Sequence, residues 1–389
     1  MDRLLMIIFI ISAYGILHSY VVYPLWLIVF TSKNKKSGEQ FTVEDNLPQL
    51  GILMAAYNEE KVIGEKIASV FNTSYPLDKI TLYIGSDASN DGTDSIINDC
   101  MKKYPQIKLK VFGGRTGKSG IINSLAEEAR QEIFILTDAN VIFKQDTIFN
   151  LIRHFKNTKT AQVAANVIKI SPTDKGIASQ EKSYIALENK IKYCESVRWN
   201  VIMGAEGACY AIRKENFSPV PKNFYMDDFY ITLNVIEQGK EIVFDPEAIC
   251  NEDVPTASHE EFKRKVRISI GNFQNLYRYK KLLLPFWKGS AFAFWSHKVL
   301  RWNTPFLLII CFATSFGLMF HSNLFAILFS FQLAGFFTPI IDWTLGINIS
   351  ALRFISHFYL MNLALLKGFV IYLKGVDSNV WQPTKRETN

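Results

Sequence analysis

Four short clusters of polar residues stand out in this chain, because each directly follows an apolar run. They read A-Y-N-E at 56–59, S-D-A-S-N-D-G-T at 86–93, G-G-R-T-G-K-S at 113–119 and T-D-A-N at 137–140. Aspartates occur in two of them, and carboxylates can accept protons or bind cations. Taken singly, each has an ordinary explanation: Asp91 and Thr93 can cap a helix, and residues 138–140 can form an Asx turn. Four such clusters in succession are harder to explain in that way.

The apolar runs before these clusters have the length of strands, and amphipathic runs of helix length separate them. Strands are predicted at 50–55, 80–84, 109–112 and 133–136, and helices over 59–71, from 93 onward and over 121–129. This alternation predicts a parallel sheet with helices on both faces. Ligands bind such sheets at the carboxyl ends of the strands, which is where the polar clusters fall.

Two common nucleotide-binding motifs are absent. A P-loop would need a glycine where Phe112 stands, five residues before Gly117. No G-x-G-x-x-G sequence follows the first predicted strand, so a Rossmann-type oxidoreductase loses its main support.

The ordered motifs resemble the nucleotide-sugar half of family-2 glycosyltransferases, which have a GT-A fold. Met226-Asp227-Asp228 resembles an acidic motif of that family, and Arg264-Lys265-Val266-Arg267-Ile268 stands where its processive members carry Q-x-x-R-W. The apolar flanks resemble the membrane-integrated branch, which includes cellulose, hyaluronan and poly-N-acetylglucosamine synthases. The resemblance therefore implies an α/β GT-A domain with a mostly parallel sheet, joined to transmembrane and interfacial helices.

The resemblance also implies roles for single residues. The residues expected to bind the nucleotide sugar are Tyr57, Asn58, Glu59, Asp87, Arg115, Gly117, Lys118, Asp138, Arg264 and Arg267. Tyr57 and Glu59 would line the base and ribose pocket, and Asp87 would accept a hydrogen bond from the uracil N–H. Arg115 and Lys118 would face the diphosphate or the nearby uracil and ribose.

A divalent cation, Mg²⁺ or Mn²⁺, is expected at Asp138 and Asn140, which occupy the family's D-x-D position. The cation would stabilise negative charge on the departing nucleoside diphosphate. Asn140 departs from the family pattern, because a neutral amide replaces the usual carboxylate. We therefore expect the cation to be required but loosely held.

Asp228 is the predicted general base that deprotonates the acceptor hydroxyl. Its neighbour Asp227 adds like charge, which would raise the pKa values of the pair. The alternative is that the two aspartates cap a helix predicted over 229–237. Both readings can hold together.

The acceptor side differs from that of cellulose synthase. Compared with the Q-x-x-R-W motif, Ile268 stands in place of the tryptophan and Arg264 in place of the glutamine. Arg267 matches the motif's arginine, and the resemblance implies that it binds the diphosphate. With Lys263 and Lys265 these arginines form a basic cluster, which is alternatively a solvated or lipid-headgroup face. Residues 204–210 form a small-residue loop suited to close approach of the donor sugar, and residues 381–386 resemble the W-x-x-T-x-R ending of related synthases.

Composition fits a membrane-associated enzyme. Of 389 residues, 49% are hydrophobic and 20% are charged, which excludes disordered, collagen-like and coiled-coil chains. The net charge of +7 lies mainly near the apolar C-terminal part, so we expect a membrane partner and no nucleic acid. Five scattered cysteines indicate neither a disulfide framework nor a zinc site.

Charge-free stretches set the predicted domain boundaries. Residues 4–30 and 302–341 contain no Asp, Glu, Lys or Arg, and about 20 apolar residues span a bilayer as a helix. The predicted parts are a transmembrane helix (1–32), a cytosolic GT-A domain (33–284), an interfacial helix (285–303), a transmembrane hairpin (304–345) and an interfacial or membrane helix with a basic tail (346–389). Lysines after residue 32 favour the cytosolic orientation, and a cleaved signal peptide fits residues 4–30 poorly.

The predicted function is transfer of a sugar from a UDP-sugar to a glycan or lipid-linked oligosaccharide acceptor, with inversion at the anomeric carbon, at the plasma or inner membrane. The first alternative keeps the fold but uses a polyprenyl phosphate or ceramide as acceptor. The second is a catalytically silent subunit that binds a glycan or nucleotide.

Overall fold

The computed structural model describes residues 2–31, 38–170, 177–253, 258–345 and 349–376. They divide into two compact units. The sheet unit contains the described residues between 27 and 256. The helical unit contains those up to 26 and from 257 to 376.

One sheet organises the first of these units. Its strands are β1 (Leu50–Ala56), β2 (Ile80–Ser86), β3 (Ile107–Val111), β4 (Ile133–Asp138), β5 (Val141–Phe143), β6 (Thr160–Ile170), β7 (Cys209–Arg213) and β8 (Glu241–Asp253). Their order is β3-β2-β1-β4-β7-β6-β8-β5. The first four strands are parallel, and Leu50 pairs with both Ile80 and Ile133. All four predicted strands are present, which confirms the α/β class.

The other half of the sheet is mixed. β7 is antiparallel to β4 and β6, β5 is antiparallel to β8, and β6 is parallel to β8. Sequence patterns did not reveal these directions, because an apolar run looks the same whichever way its strand is paired. β7 begins where β4 ends, since Cys209 pairs with Thr137. The loop before β7 therefore lies at the same edge as Asp138.

Helices cover the sheet and form the second unit. In chain order they are α1 (Asp2–Leu17), α2 (Tyr23–Phe30), α3 (Ile63–Phe71), α4 (Thr93–Lys103), α5 (Lys118–Glu128), α6 (Thr147–Ile152), α7 (Ile177–Trp199), α8 (Asp227–Glu237), α9 (Ser258–Arg278), α10 (Gly289–Ala293), α11 (Leu300–Trp302), α12 (Thr304–Leu318), α13 (Asn323–Leu345) and α14 (Ser350–Lys374). Short 3₁₀ turns lie at Leu77–Lys79, Arg153–Lys156, Lys214–Asn216 and Lys280–Leu283, and π-helical turns at His18–Val22 and Phe294–Val299.

α3 shows why these helices pack on the sheet. Ile63, Ile67 and Val70 recur at helical spacing, and all three are fully buried in the core of the sheet unit. The helix begins at Ile63, four residues later than its predicted start. The residues before it belong to a loop, in which the backbone N–H of Glu59 donates to Thr93 Oγ1 at 2.8 Å.

Three helical stretches among the described residues are long and apolar enough to cross a membrane, judged by length and composition alone. They are Asp2–Phe30, Asn323–Asp342 and Leu352–Lys374. A fourth is added if the pair Gly289–Trp302 and Thr304–Leu318, bent by 64°, counts as one span. α12 and α13 are separated at 319–322, within the predicted hairpin of residues 304–345. The interfacial placements of 285–303 and of the last helix stay predictions.

α9 groups with the apolar helices, although the predicted boundary at 284 placed it with the sheet. Ser269 donates a hydrogen bond to the carbonyl of Leu365 at 2.7 Å, and the ring of Phe273 lies 4.7 Å from that of Phe369. The apolar side of α9 is therefore buried against α14. Its amphipathic sequence alone did not show which partner would bury it.

A proline explains an unusual turn in the first apolar helix. The π-helical turn at His18–Val22 ends two residues before Pro24, which has no N–H to donate to a preceding carbonyl. The guanidinium of buried Arg301 lies 3.4 Å from the Ser19 carbonyl oxygen. Arg301 therefore supplies a donor to the part of the helix where the backbone has lost one.

Candidate active site

The predicted site residues of the sheet unit lie at one edge, where β1 to β4 end. Because these strands are parallel, the loops that follow them meet there. The structure places at this edge Tyr57, Asn58, Glu59, Asp87, Arg115, Gly117, Lys118, Asp138, Asn140, Asp227 and Asp228.

The loops after β1 and β2 are joined by side-chain hydrogen bonds. Asn58 donates through Nδ2 to Asn90 Oδ1 at 2.7 Å and accepts at Oδ1 from the Asn90 backbone N–H at 3.0 Å. Asn58 has a φ of 53°, a left-handed conformation that asparagine tolerates better than most residues. The pairing fixes the position of the neighbouring Tyr57.

Asp87 organises the loop after β3. Its carboxylate is buried and accepts hydrogen bonds from Arg115 Nε at 3.1 Å and from the backbone N–H groups of Thr116 at 2.5 Å and Gly117 at 3.2 Å. The Arg115 guanidinium lies 3.3 Å from the centre of the Tyr57 ring, a cation–π contact. Asp87 therefore has a clear structural role here, and its contact with uracil stays a prediction.

Lys118 places an ammonium group among the carboxylates of the site. Its Nζ lies 2.6 Å from Asp138 Oδ1 and 4.0 Å from Asp227 Oδ2. Burial opposes its charge, but the carboxylates of Asp138 and Asp227 dominate and raise the pKa of Lys118 above its usual value. Gly117, with a φ of 81°, turns the chain directly before it. The ammonium is therefore fixed among carboxylates.

Asp228 has the properties of a general base. Its Oδ2 accepts from the Gly207 N–H at 2.8 Å, and its Oδ1 accepts from the Phe229 N–H at 2.7 Å. Burial, and then the charge of Asp227, raise the pKa of Asp228 to about 7. A carboxyl with that pKa can take a proton near neutral pH. Helix α8 begins at Asp227, its N-cap residue is Met226, and no side-chain hydrogen bond caps it. The two aspartates therefore lie in its first turn, and the predicted capping role is wrong.

The donor set at 138–140 fits a loosely held divalent cation. Asp138 and Asn140 offer one carboxylate and one amide oxygen on a partly exposed turn, and Mg²⁺ or Mn²⁺ commonly takes its remaining ligands from phosphates and water. Among the described residues, no group of three or more His, Cys, Asp or Glu side chains could hold a metal ion. The protein by itself would thus supply few ligands.

Two residues near the carboxylates did not emerge as separate candidates from the sequence. Gly207 holds Asp228, and a side chain there would begin 3.1 Å from Asp228 Oδ2 and 3.4 Å from Lys118 Nζ. Tyr210 is buried on β7, and burial, reinforced by the three aspartates, raises its pKa well above the usual value. The small-residue loop predicted over 204–210 included both residues, but β7 begins at Cys209, so Tyr210 lies in a strand.

Other predicted residues lie elsewhere. Arg264 and Arg267 are on α9, which belongs to the helical unit, and their part in donor binding stays a prediction. The W-x-x-T-x-R motif at 381–386 lies outside the described residues.

Part of this chain is similar to known proteins. Residues 51–219 match the family described as Glycosyl transferase family 2. The chain is 25% identical over 236 residues to the probable glycosyltransferase YdaM of Bacillus subtilis, covering 58% of this chain and 56% of that protein. It is 27% identical over 236 residues to poly-beta-1,6-N-acetyl-D-glucosamine synthase of Staphylococcus epidermidis, covering 59% and 56%.

A third relative has a lipid product in its name. Beta-monoglucosyldiacylglycerol synthase of Synechocystis is 31% identical over 110 residues, which cover 28% of this chain and 23% of that protein. The matches to YdaM and to the poly-N-acetylglucosamine synthase span about half the length of those relatives.

The fold has a solved counterpart. The mannosyltransferase PcManGT of Pyrobaculum calidifontis, in complex with GDP-Man and Mn²⁺, superposes with a TM-score of 0.71 at 18% identity, covering 95% of this chain and 99% of that one. These findings agree with the resemblance seen in the motifs: residues 51–219 match a family-2 glycosyltransferase domain, and the fold is of the GT-A kind.

Proposed function

We propose that this protein transfers a sugar from a UDP-sugar to a hydroxyl group of a glycan or lipid-linked acceptor at a membrane. The observation that carries the proposal is the placement of Asp228, held by two backbone N–H groups beside Asp227. It lies at the edge where Lys118 and Asp138 form their ion pair. A base and a cationic phosphate site are the two elements that this transfer requires.

The donor would lie along the ends of β1 to β4. The Tyr57–Arg115 pair offers a flat surface for a base, and Lys118 offers positive charge for the diphosphate. The PcManGT complex contains GDP-Man, whereas we propose a UDP-sugar as the donor of this protein. Transfer assays with a panel of radiolabelled UDP- and GDP-sugars test that proposal.

Asp138 and Asn140 would hold Mg²⁺ or Mn²⁺ together with the donor diphosphate. A bound cation of this kind supplies compensation for charge on the leaving nucleoside diphosphate. The Mn²⁺ in the PcManGT complex supports the assignment. Lys118 would contribute to the same charge compensation from the protein side.

In the reaction, Asp228 accepts the proton of the acceptor hydroxyl while that oxygen attacks the anomeric carbon. The new C–O bond forms as the bond to the diphosphate breaks, and the diphosphate leaves with the electron pair. One displacement inverts the anomeric configuration. The backbone donors Gly207 and Phe229 keep the carboxylate in place during the proton transfer.

The acceptor is expected near the membrane, because apolar helices flank the sheet unit in the chain. The names of the relatives point both to a polymer and to a glycolipid. Positive charge at Lys263, Arg264 and Lys265 favours an anionic acceptor such as a lipid diphosphate. The catalytic domain would face the cytosol, where nucleotide sugars are made.

The base assignment is tested by Asp228→Asn. The amide cannot accept the proton, so turnover should fall by at least about 10²-fold, while UDP binding in calorimetry stays near the wild-type value. Asp99→Asn, at an exposed acidic position on α4, is the matched control and should change neither quantity. Loss of UDP binding along with turnover would assign Asp228 to structure, and unchanged turnover would favour a phosphate acceptor, which needs no strong base.

A pH profile tests the electrostatics of the same pair. Asp228 acts in its deprotonated form. As the pH passes through its pKa of about 7, kcat/KM should rise, and at higher pH it should level off. Asp227→Asn removes one of the two causes of the raised pKa and should move this rise to lower pH. The control is Asp99→Asn. An unmoved midpoint in Asp227→Asn would show that the two carboxylates are not coupled.

Chelation tests the cation. Exhaustive treatment with EDTA should abolish sugar transfer, and Mn²⁺ or Mg²⁺ should restore it. Asn140→Asp replaces an amide oxygen with a carboxylate, so it should lower the Mn²⁺ concentration that gives half-maximal activity. Full activity after chelation would exclude the cation from the reaction.

The product size tests the acceptor side. Processive synthases stack the terminal sugar on an aromatic side chain, and Ile268 offers none. Of the nearby aromatics in the helical unit, Phe273 and Trp302 are buried and Tyr277 is 67% exposed. We expect one or a few sugars per binding event when products are sized at limiting enzyme and excess donor. High-molecular-weight polymer in the first turnovers would contradict this expectation, and Tyr277→Ala would then test whether Tyr277 provides the platform.

A further inference from the structure

A lysine lies in the core directly below the proposed cation site. Lys66 is on α3, among the apolar residues that face the sheet, and its side chain is 0% exposed. An ammonium group without partners in such a place is strongly destabilising. The position therefore needs an explanation from its contacts.

The contacts of Lys66 are with the two residues that flank the turn 138–140. Its Nζ donates to Thr137 Oγ1 at 3.0 Å and to the carbonyl oxygen of Val141 at 2.5 Å. It also lies 3.4 Å from the centre of the Phe143 ring, a cation–π contact. The ammonium thus joins the end of β4 to the start of β5.

The turn between those anchors carries Asp138 and Asn140. Thr137 has a second bond, from its Oγ1 to the carbonyl of Ala208 at 2.9 Å, so the anchor reaches the loop before β7 as well. Burial lowers the pKa of Lys66 to about 8, which leaves most of the amine protonated at neutral pH. The side chain therefore brings positive charge beneath the proposed diphosphate and cation site.

We infer that Lys66 is a positioning residue for the donor–cation site: it fixes both ends of the 138–140 turn from within the core. The inference rests on the proposed role of Asp138 and Asn140 as cation ligands. Residues that orient metal ligands in this way commonly change metal affinity by about 10–100-fold when replaced. Without Lys66, the ends of the turn lose a shared donor, and the two oxygen ligands lose their fixed separation.

The test is Lys66→Met, which keeps length and apolar packing but removes the donors and the charge. Binding of UDP is measured by calorimetry with Mn²⁺ and again with EDTA, and free Mn²⁺ is followed by electron paramagnetic resonance. We expect Mn²⁺-dependent UDP binding to weaken by about 10–100-fold. Binding in EDTA, which depends on the Tyr57–Arg115 side of the site, should change much less.

Ser69→Ala is the matched control. Ser69 lies on the same helix, donates to the Lys66 carbonyl at 2.8 Å and accepts from the Phe143 N–H at 3.2 Å, so it joins α3 to β5 without contacting the ends of the turn. Thermal unfolding of all variants is recorded alongside. Ser69→Ala should lower thermal stability slightly and leave Mn²⁺-dependent binding unchanged.

Each outcome decides between defined alternatives. If wild-type protein shows no Mn²⁺-dependent UDP binding, the proposed cation site is wrong, and with it the basis of the inference. If wild type binds and Lys66→Met binds equally well, or if Ser69→Ala weakens binding as much, Lys66 is not a positioning residue. Should Lys66→Met fail to fold, Lys66→Gln retains one donor and replaces it in the test. Failure of both to fold would assign Lys66 to the stability of the core and overturn the inference.

Discussion

Charge compensation is the constraint on which the site depends. Asp138, Asp227 and Asp228 meet at one edge of the sheet, and like charges on partly buried side chains would force protons onto the carboxylates. Lys118 offsets this repulsion through its ion pair with Asp138 and its proximity to Asp227. Burial, and then the charge of Asp227, still raise the pKa of Asp228 to about 7. Burial and like charge together therefore give this carboxylate the proton affinity expected of the proposed base.

The loops around this cluster have little regular structure, and side chains hold them in place instead. Asn58 and Asn90 bind each other, and Asp87 accepts from two consecutive backbone N–H groups of the next loop. Such bonds satisfy polar groups that strands and helices leave unpaired at the sheet edge. They also limit movement of Tyr57 and Arg115, so that the surface proposed for the base exists before the donor binds.

In the helical unit, too, side chains satisfy backbone polar groups that the regular structure leaves unpaired. Pro24 cannot donate a backbone hydrogen bond within the first apolar stretch, Asp2–Phe30. The guanidinium of buried Arg301 lies close to the carbonyl oxygen of Ser19 in the same stretch. On α9, Ser269 and Phe273 are buried against α14. Ile268, where the motif resemblance leads us to expect an aromatic side chain in a processive enzyme, is on the same helix. The features proposed to distinguish acceptors are thus in this unit, whereas the proposed catalytic residues are in the sheet unit.

Local signals in the sequence predicted the strands β1 to β4, the polar clusters at their ends, the apolar helices and the resemblance to family-2 glycosyltransferases. Each of these signals is a run of side chains of one kind or a short motif. Only the tertiary structure shows the antiparallel pairings of the sheet, the packing partner of α9, the hydrogen bonds that Asp87 accepts and the raised pKa of Asp228. It also placed Lys66 under Thr137 and Val141, about seventy residues away in the chain. A lysine on an apolar helix face is visible in sequence, but its partner is not. Burial and charge act between residues that only folding brings together, so no spacing along the chain encodes them directly.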